Sequence, residues 1–216
     1  MWRNRLRNQP IVVHAIWLLL AVEFIAALVG RQWPLAFVAL LTFVLTLGPL
    51  LVESRFGIRF PTTFLAGIVL FVFATIFLGE AFDFYNRYWW WDLVMHGGSA
   101  LGFGILGFLF AFMMFEGDRY AAPAWAVAFF GFCFAVMIGA TWEIFEYLMD
   151  RGFGLNMQKS GLDDTMGDLM VNAVGAALGA ASGFFYLKGR ALGGFTGVIH
   201  EAVKGNRRFF RKFRRD

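Results

Sequence analysis

Nine acidic residues crowd into two short stretches of an otherwise apolar chain. They are Glu80, Asp83 and Asp92, then Glu143, Glu146, Asp150, Asp163, Asp164 and Asp168. The whole chain has only 15 Asp and Glu, and the same stretches hold three cations, Arg87, Arg151 and Lys159. Helical spacing sorts the acids onto faces. Asp92 and His96 are one turn apart, as are Glu143 and Glu146, and Glu80 and Asp83. Asp164, Asp168 and Asn172 step four by four. Carboxylates gathered in one pocket cannot all stay ionised without compensation. Some must be protonated, some must pair with Arg87, Arg151 or Lys159, or a divalent cation must supply the missing charge. The donor set Asp92, His96, Glu143, Glu146, Asp164 and Asp168, supported by Glu80, Asp83 and Asn172, is hard and oxygen-rich. It suits Mg²⁺, Mn²⁺ or Ca²⁺, and the imidazole also admits Zn²⁺ or Fe²⁺. The Glu-x-x-His pair of di-iron bundles is absent from the sequence. A hydrogen-bonded structural cluster and a proton or ion relay are the alternatives.

The elements that must position these residues are membrane helices. Of 216 residues, 59% are hydrophobic and 16% charged, with a mean hydropathy of +0.63. Soluble domains lie near 45–50% apolar and about 25% charged. A spanning helix needs roughly 20 mostly apolar residues. Six runs qualify, at about 11–30, 34–52, 62–82, 90–115, 123–148 and 164–187. The expected fold is all-α: one polytopic bundle over residues 1–187, followed by a basic tail over 188–216. Pro10, Pro34, Pro61 and Pro123 stand before or at the start of a run, where a missing N–H does no harm. Pro49 follows Gly48 inside the second run and should kink it. The first run is too long for the apolar core of a cleaved leader and is read as a retained helix.

Lys and Arg counts in the flanks set the orientation. With the N-terminus in the cytoplasm, fifteen of the 19 cations fall inside, leaving Arg31, Arg87, Arg151 and Lys159 outside. Both termini are then cytoplasmic, and the acids lie at the outer ends of their helices, some one to two turns within the bilayer. Ionisable groups at that depth are costly and normally serve a function inside the bundle.

Other features carry less. GFGILG (102–107) matches G-x-G-x-x-G but sits inside an apolar run, without the strand the dinucleotide motif requires, so no nucleotide cofactor is expected. The pair Gly98 and Gly102 and the stripe Gly175, Gly179 and Gly183 are read instead as faces where helices approach closely. Cys133, alone in its run, reads as a small buried hydrophobe. Trp142 reads as an interface anchor. Lys204 to Arg215, with Phe209, Phe210 and Phe213 interleaved, has the composition of a segment lying on anionic lipid; nucleic acid is not expected.

Three blocks taken in order, WDLVMHGGSALGFGILG (91–107), ATWEIFEYLMD (140–150) and SGLDDTMGDLMVNAVGAALGA (160–180), resemble the bacterial inner-membrane family typified by YjdF. The resemblance covers about residues 60–185. More loosely, the chain is similar to VanZ-like proteins, which are linked to glycopeptide resistance. The positions shared with them are Asp92 and His96, Glu143 or Glu146, and Asp168, Asn172 and Gly175. Glu80, Asp83, Asp163 and Asp164 depart from that pattern, and the Arg- and Phe-rich tail departs from the YjdF type. The resemblance implies a multi-pass protein of the bacterial inner membrane and supplies no reaction.

Three functions follow from the residues. The first is a divalent-metal-dependent enzyme at the outer leaflet, acting on lipid or lipid-linked phosphate with Glu143 or Asp92 as base. The second is a structural or accessory membrane protein whose polar cluster holds helices together. The third is an ion-coupled transporter, which fits less well because no internal repeat is visible and the acids avoid the midplane.

Overall fold

The structure, a computed structural model, describes residues 6, 9–115, 122–190 and 193–210. Among these residues every regular element is a helix. Six helical segments are long and apolar enough to span a bilayer: Ile11–Val29, Trp33–Phe56, Thr62–Ala81, Trp91–Phe115, Ala124–Phe153 and Leu162–Leu187. The protein is therefore an all-α, multi-pass membrane protein. The second and fifth spans run four or five residues past the sequence estimate. The chain divides into two compact units, Met1–Trp91 and Asp92–Asp216.

In the first unit, α1 (Ile11–Val29) follows Pro10, and α2 (Trp33–Thr46) carries Pro34 in its first turn. The expected kink is a break at Leu47, after which α3 (Gly48–Phe56) starts with Pro49 in its first turn. Gly57 closes α3 in the left-handed region at φ 63°, which costs glycine no Cβ clash. Buried Glu53 accepts a hydrogen bond from Phe60 N at 2.7 Å across this turn. α4 (Thr62–Val72) continues as a π-helical stretch, Phe73–Ala81, and a short α5 (Phe84–Arg87) follows. Val13, Ile16 and Leu20 of α1 pack with Ala39, Leu50, Leu65, Val69, Phe73 and Phe77.

The second unit contains α6 (Trp91–Phe115), α7 (Ala124–Phe153), α8 (Leu162–Leu187) and α9 (Gly194–Gly205). Small residues set how closely its helices pack. A Cβ on Gly175 would collide with the Gly97 carbonyl oxygen, and one on Gly179 would lie 3.0 Å from the Gly104 Cα. A Cβ on Gly131 would lie 2.8 Å from both Gly104 O and Phe108 N. Residue numbers rise together along α6 and α8 but oppositely along α6 and α7. The starts of α6 and α8 and the end of α7 therefore share one end of the unit. The expected close faces are real for Gly175, Gly179 and Gly183. Gly98 and Gly102 meet nothing within 4 Å; the close approach on α6 uses Gly97, Gly104 and Gly107 instead. GFGILG lies wholly within α6, with no strand before it.

Much of the exterior is apolar, including Phe129, Phe130, Met170, Val174 and Leu178. In water such a surface would be an association hazard; in a bilayer it is the lipid contact. Cys133 is exposed on this surface, not buried. The segment after α8 includes a helix. α9 docks Ile199, which is fully buried, among Ile105, Phe108, Ala111, Phe112 and Val127. Phe210 stacks on Phe112 at a centroid distance of 5.5 Å. The remainder of the basic segment, from Arg211 on, lies outside the described residues.

Candidate metal centre

His96 is the centre of the polar cluster, and each face of its imidazole meets different groups. Nε2 lies 3.5 Å from Asp92 Oδ1 and 3.8 Å from Asp168 Oδ2. Nδ1 lies 3.6 Å from Glu143 Oε1 and 3.5 Å from Asn172 Nδ2. Most of these distances exceed the hydrogen-bond range, so the groups face one another without saturating one another. One ligand atom each from Asp92, His96 and Asp168 falls within 4.8 Å of the others.

Local sequence explains the convergence. The four-residue step carries Asp92 and His96 on one face of α6, and Asp168 and Asn172 on one face of α8. Asp92 belongs to the first turn of α6, and Asp163 and Asp164 to the first turn of α8. The partial positive charge at a helix N-terminus favours carboxylates there. Gly139, one turn before Glu143 on α7, makes room for Asn172: a Cβ would stand 2.5 Å from Nδ2. The four-residue spacing of Gly139 from Glu143 is the one sequence signal for this contact, and it becomes legible only once Asn172 is seen against it.

Burial makes the arrangement unusual. Asp168 is 1% exposed and Glu143 4%. Asp168 Oδ2 and both Glu143 carboxylate oxygens are sealed from solvent and complete no hydrogen bond. The Thr165 hydroxyl accepts from Gln158 Nε2 at 2.6 Å and keeps its own hydrogen to turn toward Glu143, beside which it stands, so the Asp168 oxygen is the more fully orphaned. Buried polar groups are nearly always satisfied, so orphaned carboxylate oxygens in a closely packed site call for a missing partner.

The six expected ligand residues separate into roles. Asp92, His96 and Asp168 converge, and Glu143 backs the imidazole. Glu146 is also buried, but its Oε1 accepts from Trp142 Nε1 at 2.7 Å, so Trp142 supports Glu146 rather than only anchoring an interface. Asp164 Oδ2 accepts from Lys159 N at 3.2 Å. Of the expected supporting residues, Asn172 is in place against His96. Glu80 and Asp83 belong to the first unit: Glu80 is exposed on the π-helical stretch, and Asp83 accepts from Asn86 Nδ2 at 2.6 Å. Of the three expected counter-cations, Lys159 pairs with Asp92 at 3.4 Å, and Arg151 lies over the Tyr147 ring. Arg87 belongs to the first unit.

Residues 12–189 match a family model described as a predicted membrane protein, DUF2238. The chain is also similar to an uncharacterized protein of Thermotoga maritima, 27% identical over 104 residues. That alignment takes in 48% of this chain and 53% of the relative, so the chain spans about half the length of the protein it matches. No solved structure matches the chain.

Proposed function

We propose that this chain, which belongs to the DUF2238 family of predicted membrane proteins, binds a divalent cation at His96 and uses it on phosphate carried by membrane lipid. The observation that carries the reading is the sealed Asp168 Oδ2, which completes no hydrogen bond, within a convergent Asp92–His96–Asp168 trio. His96 Nε2, Asp92 Oδ1 and Asp168 Oδ2 are the ligand atoms. Glu143 faces the other ring nitrogen, the position of a carboxylate that orients a metal-bound histidine. Two carboxylates and one imidazole suit Mg²⁺, Mn²⁺ or Ca²⁺, and admit Zn²⁺ or Fe²⁺. A cation there supplies charge to polarise a phosphoryl oxygen and activate water.

The cation count favours cytoplasmic termini and a site at the outer face of a bacterial inner membrane. In that orientation Lys204 to Arg215 meets the anionic inner leaflet. A looser VanZ-like kinship, carried by Asp92, His96, Glu143 or Glu146, Asp168, Asn172 and Gly175, is part of the same proposal and rests on the sequence alone.

A structural reading has its own support in Asn172 and Asp168, both nearly inaccessible between tightly packed helices. The test is elemental analysis and cation titration of the detergent-purified chain beside His96→Ala. The expected result is a bound divalent cation in the wild type that is lost in His96→Ala. A wild type that binds none of these cations, even after supplementation, removes the metal reading.

A further inference from the structure

The loop joining α7 to α8 is fastened across the mouth of the cluster. Asp150 accepts from Met157 N at 2.7 Å and Gln158 N at 2.9 Å. Gln158 Nε2 reaches Thr165 Oγ1, and Lys159 N reaches Asp164 Oδ2. These bonds tie the loop to the end of α7 and the start of α8, and they fix where the next side chain goes. Lys159 Nζ stands 3.4 Å from Asp92 Oδ2, while Asp92 Oδ1 faces His96. Asp92 thus turns one oxygen into the cluster and the other toward an ammonium whose side chain is still 28% exposed. A cation held at Asp92 Oδ1 and Lys159 at Oδ2 would present two positive charges to whatever enters from the exposed side. The sealed Asp168 Oδ2, which completes no hydrogen bond and faces the same ring nitrogen as Asp92 Oδ1, marks the cation side independently.

We propose that Lys159 is the specificity-determining residue for a phosphate group, binding its oxygen at the rim of the cation site. The inference rests on the cation reading above. Alone, the surrounding carboxylates repel an anion; with a divalent cation bound, the rim turns attractive. Phosphate binding is therefore expected only in the presence of the cation. The ligand chemistry is a terminal phosphate group, carried as a monoester on a lipid headgroup or free as inorganic phosphate.

The test uses the full chain loaded with Mn²⁺, whose paramagnetism broadens the ³¹P resonance of any phosphate bound beside it. One arm adds inorganic phosphate to the detergent-solubilised protein. The other places the protein in nanodiscs of phosphatidylcholine with and without phosphatidic acid. Lys159→Gln should weaken phosphate binding about tenfold or more, the loss expected for one charge-assisted hydrogen bond. Lys159→Arg should restore most of it. Mn²⁺ affinity should hold or rise in Lys159→Gln, because a nearby positive charge is removed; a merely collapsed site would lose Mn²⁺ as well. Broadening in the phosphatidic acid arm alone assigns the lipid source, and broadening by inorganic phosphate assigns the free one. Equal phosphate binding by wild type and Lys159→Gln, with Mn²⁺ bound to both, overturns the role of Lys159. Absence of Mn²⁺ from the wild type overturns the cation reading itself.

Discussion

Asp168→Asn separates a site built for a cation from a cluster built to hold helices. The change keeps the shape of a side chain that is 1% exposed and removes its charge. The ligand atoms of Asp92 and Asp168 lie within 4.8 Å of each other. If both are ionised, they repel by about 3.5 kcal/mol at an effective dielectric of 20. The opposing contact, His96 Nε2 to Asp168 Oδ2, is 3.8 Å long, too long for a hydrogen bond. Removing the charge should thus leave the cation-free protein as stable as the wild type, or more stable. Functional residues commonly behave this way when neutralised. Adding cation at about 100 times its dissociation constant should stabilise the wild type by ~2.7 kcal/mol. For a chain of this length that raises the unfolding midpoint by on the order of 5–10 °C. Asp168→Asn, lacking one of three ligands, should lose that rise. The assay is thermal unfolding of nanodisc-embedded protein by tryptophan fluorescence, with chelator and with each of Mg²⁺, Mn²⁺, Ca²⁺ and Zn²⁺. The reasoning is refuted if Asp168→Asn unfolds far below the wild type in chelator and neither protein responds to any cation. A drop equivalent to about 3–5 kcal/mol is the mark of a broken structural pair.

Two further substitutions probe the scaffold. Gly139→Ala puts a methyl 2.5 Å from Asn172 Nδ2, so overpacking should cost about 1–3 kcal/mol. It should also reduce the cation-induced midpoint shift; an unchanged shift would mean that Asn172 does not support His96. Ile199→Ala removes a fully buried side chain from the seat of α9 and should weaken docking by about 2–5 kcal/mol. Tryptic cleavage after Arg190 should then accelerate at least about tenfold, since cleavage follows local opening. Phe195→Ala, on the exposed side of α9, is the control, and equal rates in the two variants would argue against the docked helix.

The membrane assignment was legible in the sequence because it depends on length and composition alone. About 20 apolar residues must cross the hydrocarbon, and prolines mark where helices begin. The one-turn pairings Asp92–His96 and Asp168–Asn172 were legible for a similar reason: helix periodicity is local. Which glycines touch a neighbour was not. Gly98 and Gly102 have the right spacing, yet Gly97 and Gly104 make the contacts, because the rotation of α6 about its axis is set by packing against α7 and α8. The amphipathic α9 was missed because its twelve residues are too short and too mixed for a span and run into a strongly basic stretch, and only packing supplies a partner for Ile199.

By itself the sequence determined that this chain crosses a bilayer and that Asp92 with His96, and Asp168 with Asn172, share a helix face, because both follow from residue type and the 3.6-residue turn. Only the tertiary structure decided that His96 stands between Asp92, Asp168 and Glu143, and that Lys159 rather than Arg151 reaches Asp92. Such contacts join side chains up to 76 residues apart, and their geometry depends on helix rotation and on where a loop is fastened, neither of which has a local code.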